Sequence, residues 1–262
     1  LISDFNRAEA LKGSEIALLD IDLAAAREFC AYGEMLAKKH GSGIRHSAGS
    51  DEDEAFAGAD FIVLTINTGG NEASLLDCEI PRKYGSFQII GDSAGPGGWI
   101  RTWRNAPVFI RMVQKIERLA PNAFVLNYSN PMADLTTILA KASSLRVLGM
   151  CHGPLQTRER IAFLFGCAPE AIDMAYAGLN HFHWILRFTV EGREGYAALR
   201  RMLNGQTLAS CTRRANAIVD DRFENQRLPR FNRKSTMWED LYEQYGYFCY
   251  IAHNHIIEYL PQ

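Results

Sequence analysis

Over its first 165 residues the chain alternates short apolar runs with amphipathic stretches, and this alternation constrains the fold more than any other feature. The runs from Glu15 to Asp20, Asp60 to Ile66, Ala123 to Asn127 and Leu145 to Met150 read as strands buried on both faces. Between them, Ala24 to Lys39 is rich in helix formers. Phe109, Met112, Val113, Ile116 and Leu119 recur at helical spacing until Ala120-Pro121-Asn122 stops them, and Leu155 to Phe165 is again helical. Apolar strands alternating with amphipathic helices predict an α/β fold: a doubly wound parallel sheet covered on both faces. Such sheets bind ligands at the carboxyl ends of their strands.

After Asn180 the pattern changes. His181 to Val190 alternates like a strand, Glu191 to Gly195 is a turn, and Tyr196 to Leu203 is helical. Arg213 to Lys234 is polar and basic and reads as a mobile or solvated segment. Met237 to Tyr259 is aromatic-rich. The expected division is a nucleotide-binding domain over 1–175 and part of a second α/β domain over 176–262. A net charge of −2 with no basic block argues against nucleic acid or an anionic membrane as partner. No run is long enough to span a bilayer. Six scattered cysteines without a C-x-x-C pair fit a reducing cytoplasm. The chain opens without an initiator Met inside what reads as a helix, so it is expected to be trimmed at its start.

Candidate site residues sit where the strands end. Gly149-Met150-Cys151-His152 closes the fourth strand, and thirty residues after the cysteine comes Gly178-Leu179-Asn180-His181. A thiolate at Cys151 and an imidazole at His181 make a two-point clamp for a divalent transition metal with open coordination positions. Buried packing roles for both residues are the competing reading. Asp20 is placed to hydrogen-bond ribose hydroxyls, with a helix N-cap as the alternative and Asp22 as its competitor. Thr65, Gly69 and Gly70 close the next strand and allow close backbone approach to a cofactor, or form a simple turn. Gly91 to Gly98 is a shaped, glycine-dense loop, followed by Arg101 and Arg104. Asn130, fixed by Pro131, can reach both a substrate hydroxyl and a nicotinamide, or is an ordinary Asn-Pro turn. Tyr245 is a packing aromatic or, beside a metal, a base of lowered pKa.

Taken together these segments resemble glycoside hydrolase family 4, the NAD- and metal-dependent glycosidases. The resemblance runs through Ala59-Asp60, Gly69-Gly70, Glu79-Ile80-Pro81, Lys83-Tyr84-Gly85, Gly91 to Gly98, Asn127 to Met132, Gly149 to His152 and Gly178 to His181. It ends at Glu258-Tyr259-Leu260-Pro261, so it covers nearly the whole chain. It implies a Rossmann domain like that of lactate and malate dehydrogenases with a second α/β domain. It also implies that the first strand with its Gly-rich NAD loop and a large C-terminal portion are missing.

The resemblance further implies NAD and Mn²⁺, or another divalent metal, as cofactors. Cys151 and His181 become the metal ligands, Asn130 and Asn180 contact substrate, and His152 donates a proton. Members acting on 6-phosphoglycosides tend to carry Asp at position 152, whereas His resembles the branch using unphosphorylated α-galactosides or α-uronides. Tyr245 falls where some members carry the base, with Tyr242 as the fallback. The implied reaction is NAD-dependent oxidation at C3 of the sugar, metal-assisted deprotonation at C2 and elimination of the C1 substituent, a known exception to the two-carboxylate scheme. The partners implied are a small-molecule glycoside and further copies of the chain, as dimer or tetramer. Two other readings are a lactate/malate-type dehydrogenase and a non-catalytic sugar- or nucleotide-binding relative. The dehydrogenase needs a Gly-x-His-Gly-Asp segment that is absent, since Ala252 and Asn254 flank His253.

Overall fold

Strands β1 (Glu15–Leu19) and β2 (Arg45–Gly49) pair in parallel, and β3 (Phe61–Leu64), β4 (Phe124–Asn127) and β5 (Arg146–Gly149) form a sheet in that order. The computed structural model describes residues 1–213 and 237–260. All but Arg213 of the basic stretch from Arg213 to Lys234, together with Pro261, lies outside the described residues. No helix among the described residues is long and apolar enough to cross a membrane.

The chain forms two compact units. The first comprises Leu1–Val63, Phe109–Leu126 and Leu139–Leu148; the second comprises Leu64–Val108, Asn127–Ile138 and Gly149–Gln262. In the first unit, after the short helix α1 (Ile2–Phe5), helix α2 (Leu23–His40) begins where the Asp22 carboxylate caps Ala24 and Ala25 N–H at 3.0 and 3.1 Å. It ends at Gly41, which takes the left-handed conformation a C-cap requires. The cap is therefore Asp22, and Asp20, just after β1, accepts a turn bond from Asp22 N–H. Of the residues at helical spacing, Phe109, Met112, Val113 and Ile116 are buried on helix α5 (Gly95–Leu119), and Leu119 at its end is half-buried. Each such side chain contributes about 1.5–3 kcal/mol by leaving water.

An ion cluster covers the same unit. Glu52, at the start of helix α3 (Glu52–Phe56), accepts from Arg111 Nη1 at 2.6 Å and Nη2 at 2.9 Å, with Lys115 Nζ at 3.1 Å. Hydrogen bonding by Arg111 is the main cause that lowers its pKa from 4.5 to about 2. A carboxylate depressed in this way stabilises the fold fully above its unfolded pKa and loses that contribution as pH falls through about 2. Solvent screening limits the effect to about 1 kcal/mol. Urea denaturation of wild type and Glu52→Gln at pH 6 and at pH 2 should show the two differing at the higher pH and converging at the lower.

The second unit contains a hairpin, β6 (Ile172–Leu179) with β7 (Phe182–Val190), extended by β8 (Arg193–Glu194). Its core gathers Ile161, Ile185, Phe188, Leu199, Trp238 and Phe248. The buried Tyr196 hydroxyl donates to Ile185 O at 2.5 Å and accepts from Phe248 N–H at 3.0 Å. Phe248 to Tyr250 runs along β7: Ile185 N–H donates to Phe248 O and Tyr250 N–H to His183 O. That pairing fixes Tyr250, fully buried, beside the hairpin tip.

One sequence expectation shifts. The glycine-dense stretch is a loop only as far as Ala94, because α5 already starts at Gly95. Gly97 sits in that first turn, where any side chain would run into the Asp77 carbonyl and the Gln88 amide.

Candidate metal and sugar site

Five segments of the second unit converge on one cavity of ≈ 430 Å³, within the range of about 300–1,000 Å³ that small-molecule sites occupy. They are the loop at 89–94, the turn after β4, the turn after β5 with the start of the following helix, the tip of the β6–β7 hairpin, and the stretch around Tyr250 to His255.

The loop at 89–94 is built around carboxylate and amide clamps. Glu258 Oε1 accepts from the backbone N–H groups of Ile89, Ile90 and Gly91 at 2.9, 2.7 and 3.0 Å. Three successive amides turned on one anion form a nest. Gln88 bridges the loop's far side, donating to Ala94 O and accepting from Gly97 N–H, both at 2.6 Å. The loop thereby presents Asp92 and Ser93.

The turn after β4 is organised by the buried Asn127, which accepts from Ser129 N–H at 3.0 Å and donates to Thr136 Oγ1 of helix α6 (Met132–Ala142) at 3.1 Å. Ser129 accepts from Ile66 N–H at 2.8 Å. Asn130 then projects into the cavity and donates through Nδ2 to Asp92 Oδ2 at 2.9 Å. After β5, Cys151 lines the cavity and its sulfur accepts from Gly153 N–H at 3.3 Å. Helix α7 (Gly153–Phe165) starts at once, with the exposed His152 at its N-cap position and also lining the cavity.

His181 is at the tip of the β6–β7 hairpin, in the left-handed region at φ 61°. A non-glycine residue held there marks a site where the surroundings over-determine the backbone. Tyr259 pins the tip by donating its hydroxyl to Asn180 O at 2.7 Å. The His181 ring is buried, with His255 4.0 Å away and Tyr250 stacked at 5.4 Å between centroids. Burial, then the neighbouring His255, lowers its pKa to about 4, so the imidazole is neutral at pH 7. Its Nδ1 lies 2.5 Å from Ser93 Oγ.

Asp92, His181 and His255 offer three ligand atoms within 4.8 Å of one another. His255 Nδ1 is buried with no hydrogen-bond partner among the described residues, 3.6 Å from Asp92 Oδ1. A buried nitrogen without a partner, a carboxylate and a neutral imidazole, with a thiol lining the same cavity, are a donor set that fits a borderline divalent transition metal. Sequence reasoning found Cys151 and His181 but not Asp92 or His255. The available signal was an acid inside a glycine-dense loop and a histidine three residues before Glu258.

The other predicted residues have distinct places. Asn180 is in the hairpin turn and is not among the residues lining the cavity. Tyr245 is 54% exposed and packs edge-on against Trp184 at 5.1 Å; Tyr242 is buried against Phe248. The tyrosines lining the cavity are Tyr128 and Tyr250, and burial raises the pKa of the Tyr250 hydroxyl. Thr65 to Gly70 follows β3 and leads into helix α4 (Gly70–Lys83). Arg104 anchors that loop, donating to Thr68 O at 2.9 Å while pairing with Asp77 through Nη1 at 2.9 Å and Nη2 at 2.5 Å. Gly69, at φ 90°, leaves room for the Arg104 side chain. Asp20 is exposed just after β1.

Comparison with known proteins bears on this arrangement directly. The family model described as family 4 glycosyl hydrolase matches residues 1–166, and that of the family 4 glycosyl hydrolase C-terminal domain matches 176–262. The chain is similar to an alpha-galactosidase of Bacillus subtilis, 28% identical over 262 residues covering all of this chain and 56% of that protein. It is likewise 28% identical over 268 residues to an alpha-galacturonidase of Thermoanaerobacter italicus, with the same two coverages. The solved structure of the lplD protein of Bacillus subtilis, assigned as a glucosidase, superposes with a TM-score of 0.80 at 27% identity. That superposition covers all of this chain and 59% of the other. A 6-phospho-alpha-glucosidase from gut microorganisms, solved with NAD and Mn²⁺, shares the fold at TM-score 0.76 and 21% identity, over 98% of this chain and 57% of that one. The chain thus spans a little over half the length of the curated relatives it matches. With the two family models matching residues 1–166 and 176–262 and the Rossmann-like fold shared with solved members, the chain belongs to family 4 of the glycosyl hydrolases.

Proposed function

We propose that this chain carries the reaction centre of an NAD- and metal-dependent glycosidase acting on an unphosphorylated α-galactoside or α-uronide. The observation that carries the reading is one cavity lined by Cys151, His152, His181 and Asn130 together with Asp92 and His255. Cys151 and His181, with Asp92 and His255 in reach, would hold the metal. When bound, NAD supplies a hydride acceptor and donor and the metal a Lewis acid.

The chain's own residues do the remaining work. The Asn130 amide nitrogen is taken by Asp92, so its carbonyl oxygen is left to accept a hydrogen from a sugar hydroxyl. His152, open to the cavity at the start of α7, holds the proton that the leaving oxygen needs. Burial disfavours the ionised form of Tyr250, so at neutral pH its hydroxyl is a donor that orients rather than a base.

Two observations support the substrate class. The alpha-galactosidase and alpha-galacturonidase relatives match along the whole chain. Among the described residues lining the cavity there is no lysine or arginine, which a 6-phosphate dianion would call for. Of the two substrates proposed, the uncharged galactoside suits that lining better.

The test is release of p-nitrophenol by the intact protein from α- and β-galactosides, glucosides, uronides and their 6-phosphates, with and without NAD⁺ and Mn²⁺ under reducing conditions. Turnover of an unphosphorylated α-glycoside that needs both additives is expected. Turnover confined to 6-phosphates would sink the substrate class, and turnover without NAD⁺ the mechanism.

A further inference from the structure

Ser93 stands between two groups with opposite demands. Its Oγ lies 2.7 Å from Asp92 Oδ1 and 2.5 Å from His181 Nδ1. A hydroxyl has one proton and a carboxylate only accepts, so that proton goes to Asp92. The Ser93 oxygen is then an acceptor, and the hydrogen of the second bond comes from His181 Nδ1. A neutral imidazole carries a single N–H, which leaves a lone pair on Nε2. Asp92 is itself held, because its other oxygen accepts from Asn130 Nδ2 at 2.9 Å.

We infer that Ser93, oriented by Asp92, is a positioning residue that locks His181 in its Nδ1–H tautomer and so presents Nε2 to the metal. A histidine ligand whose second nitrogen is bonded to an outer partner has its ring orientation fixed and its basicity raised. Here that partner is a serine rather than the carboxylate, with the carboxylate one bond further out. The same Asp92 then fixes two things at once: the face of His181 offered to the metal and the end of Asn130 offered to the sugar. The inference rests on the reading of His181 as a metal ligand.

The lock has a signature that does not depend on turnover. Nitrogen-15 NMR of the intact, metal-free protein labelled at histidine should show His181 protonated at Nδ1 in wild type and in Ser93→Thr, which keeps the hydroxyl. In Ser93→Ala that preference should be lost. Mn²⁺ affinity, read by electron paramagnetic resonance, should fall about 10–100-fold in Ser93→Ala and stay near wild type in Ser93→Thr. A wild-type His181 protonated at Nε2, or unchanged Mn²⁺ affinity in Ser93→Ala, would overturn the inference. If wild type binds no Mn²⁺ yet shows the Nδ1–H signature, the metal reading itself falls and takes the ligand-presenting role with it.

Discussion

Replacing His181 with asparagine is expected to abolish Mn²⁺ binding at micromolar metal and to remove glycosidase turnover while leaving the protein folded. The choice of asparagine matters. His181 holds φ 61° at the hairpin tip, a conformation that asparagine tolerates better than other non-glycine residues. The backbone pairing of Leu179 with Phe182 is therefore preserved and only the imidazole is lost. Loss of an outer-shell partner costs roughly 10–100-fold in metal affinity, and loss of a direct ligand should exceed that. The same measurement on Cys151→Ser and His255→Ala separates two ligand sets. If the thiolate and the imidazole are the protein's clamp, Cys151→Ser should resemble the His181 variant and His255→Ala should bind nearly as wild type. If the clamp is instead the trio whose ligand atoms lie within 4.8 Å, the ranking reverses. Wild-type affinity in His181→Asn with turnover retained would remove His181 from the metal site altogether.

How far the sequence leads differs between fold and site. The strands and the α5 stripe were legible because they depend on local periodicity: Phe109, Met112, Val113 and Ile116 fall on one face at any tertiary arrangement. Cys151, His152 and Asn130 were legible because they sit immediately after strands, and a parallel sheet brings strand ends to one edge. Asp92 and His255 were not, because neither terminates a periodic element. Asp92 reaches the site through a loop whose path is set by Glu258, 167 residues from Gly91 along the chain, and no local pattern encodes a clamp of that separation. Tyr245 shows the converse. It lies in an aromatic cluster, but the helix Met237–Tyr245 turns Trp238, Leu241 and Tyr242 inward and leaves Tyr245 against Trp184 at the surface. Tyr250 enters the cavity instead because it pairs with β7, a long-range contact invisible in spacing.

The second large effect expected is on Glu258. One carboxylate oxygen satisfies three backbone donors of the loop that carries Asp92 and Ser93, and its neighbour Tyr259 ties down Asn180 beside His181. Adjacent residues thus hold the two loops that meet at the Ser93–His181 bond, and His255 on the same segment contributes a third group. Glu258→Ala leaves three N–H groups without their anion, which should cost on the order of 3 kcal/mol, since bonds to a charged group are worth about 1.5–3 kcal/mol each and part of the loss is recovered by water. Glu258→Gln keeps the oxygen and the fold but weakens every bond to it, so it should retain most of the stability. Tyr259→Phe removes a single bond and keeps the stacking on Phe182 at 5.3 Å, so about 1 kcal/mol is expected. If the clasp also positions the site, Mn²⁺ affinity should fall in the order Tyr259→Phe, Glu258→Gln, Glu258→Ala, least to most. Urea denaturation and metal titration of the three variants check both statements. Equal stability of Glu258→Ala and wild type would show that the nest contributes nothing net. A stability loss in Glu258→Gln without loss of metal affinity would show that the loop keeps its course by Gln88 and the Gly97 packing alone.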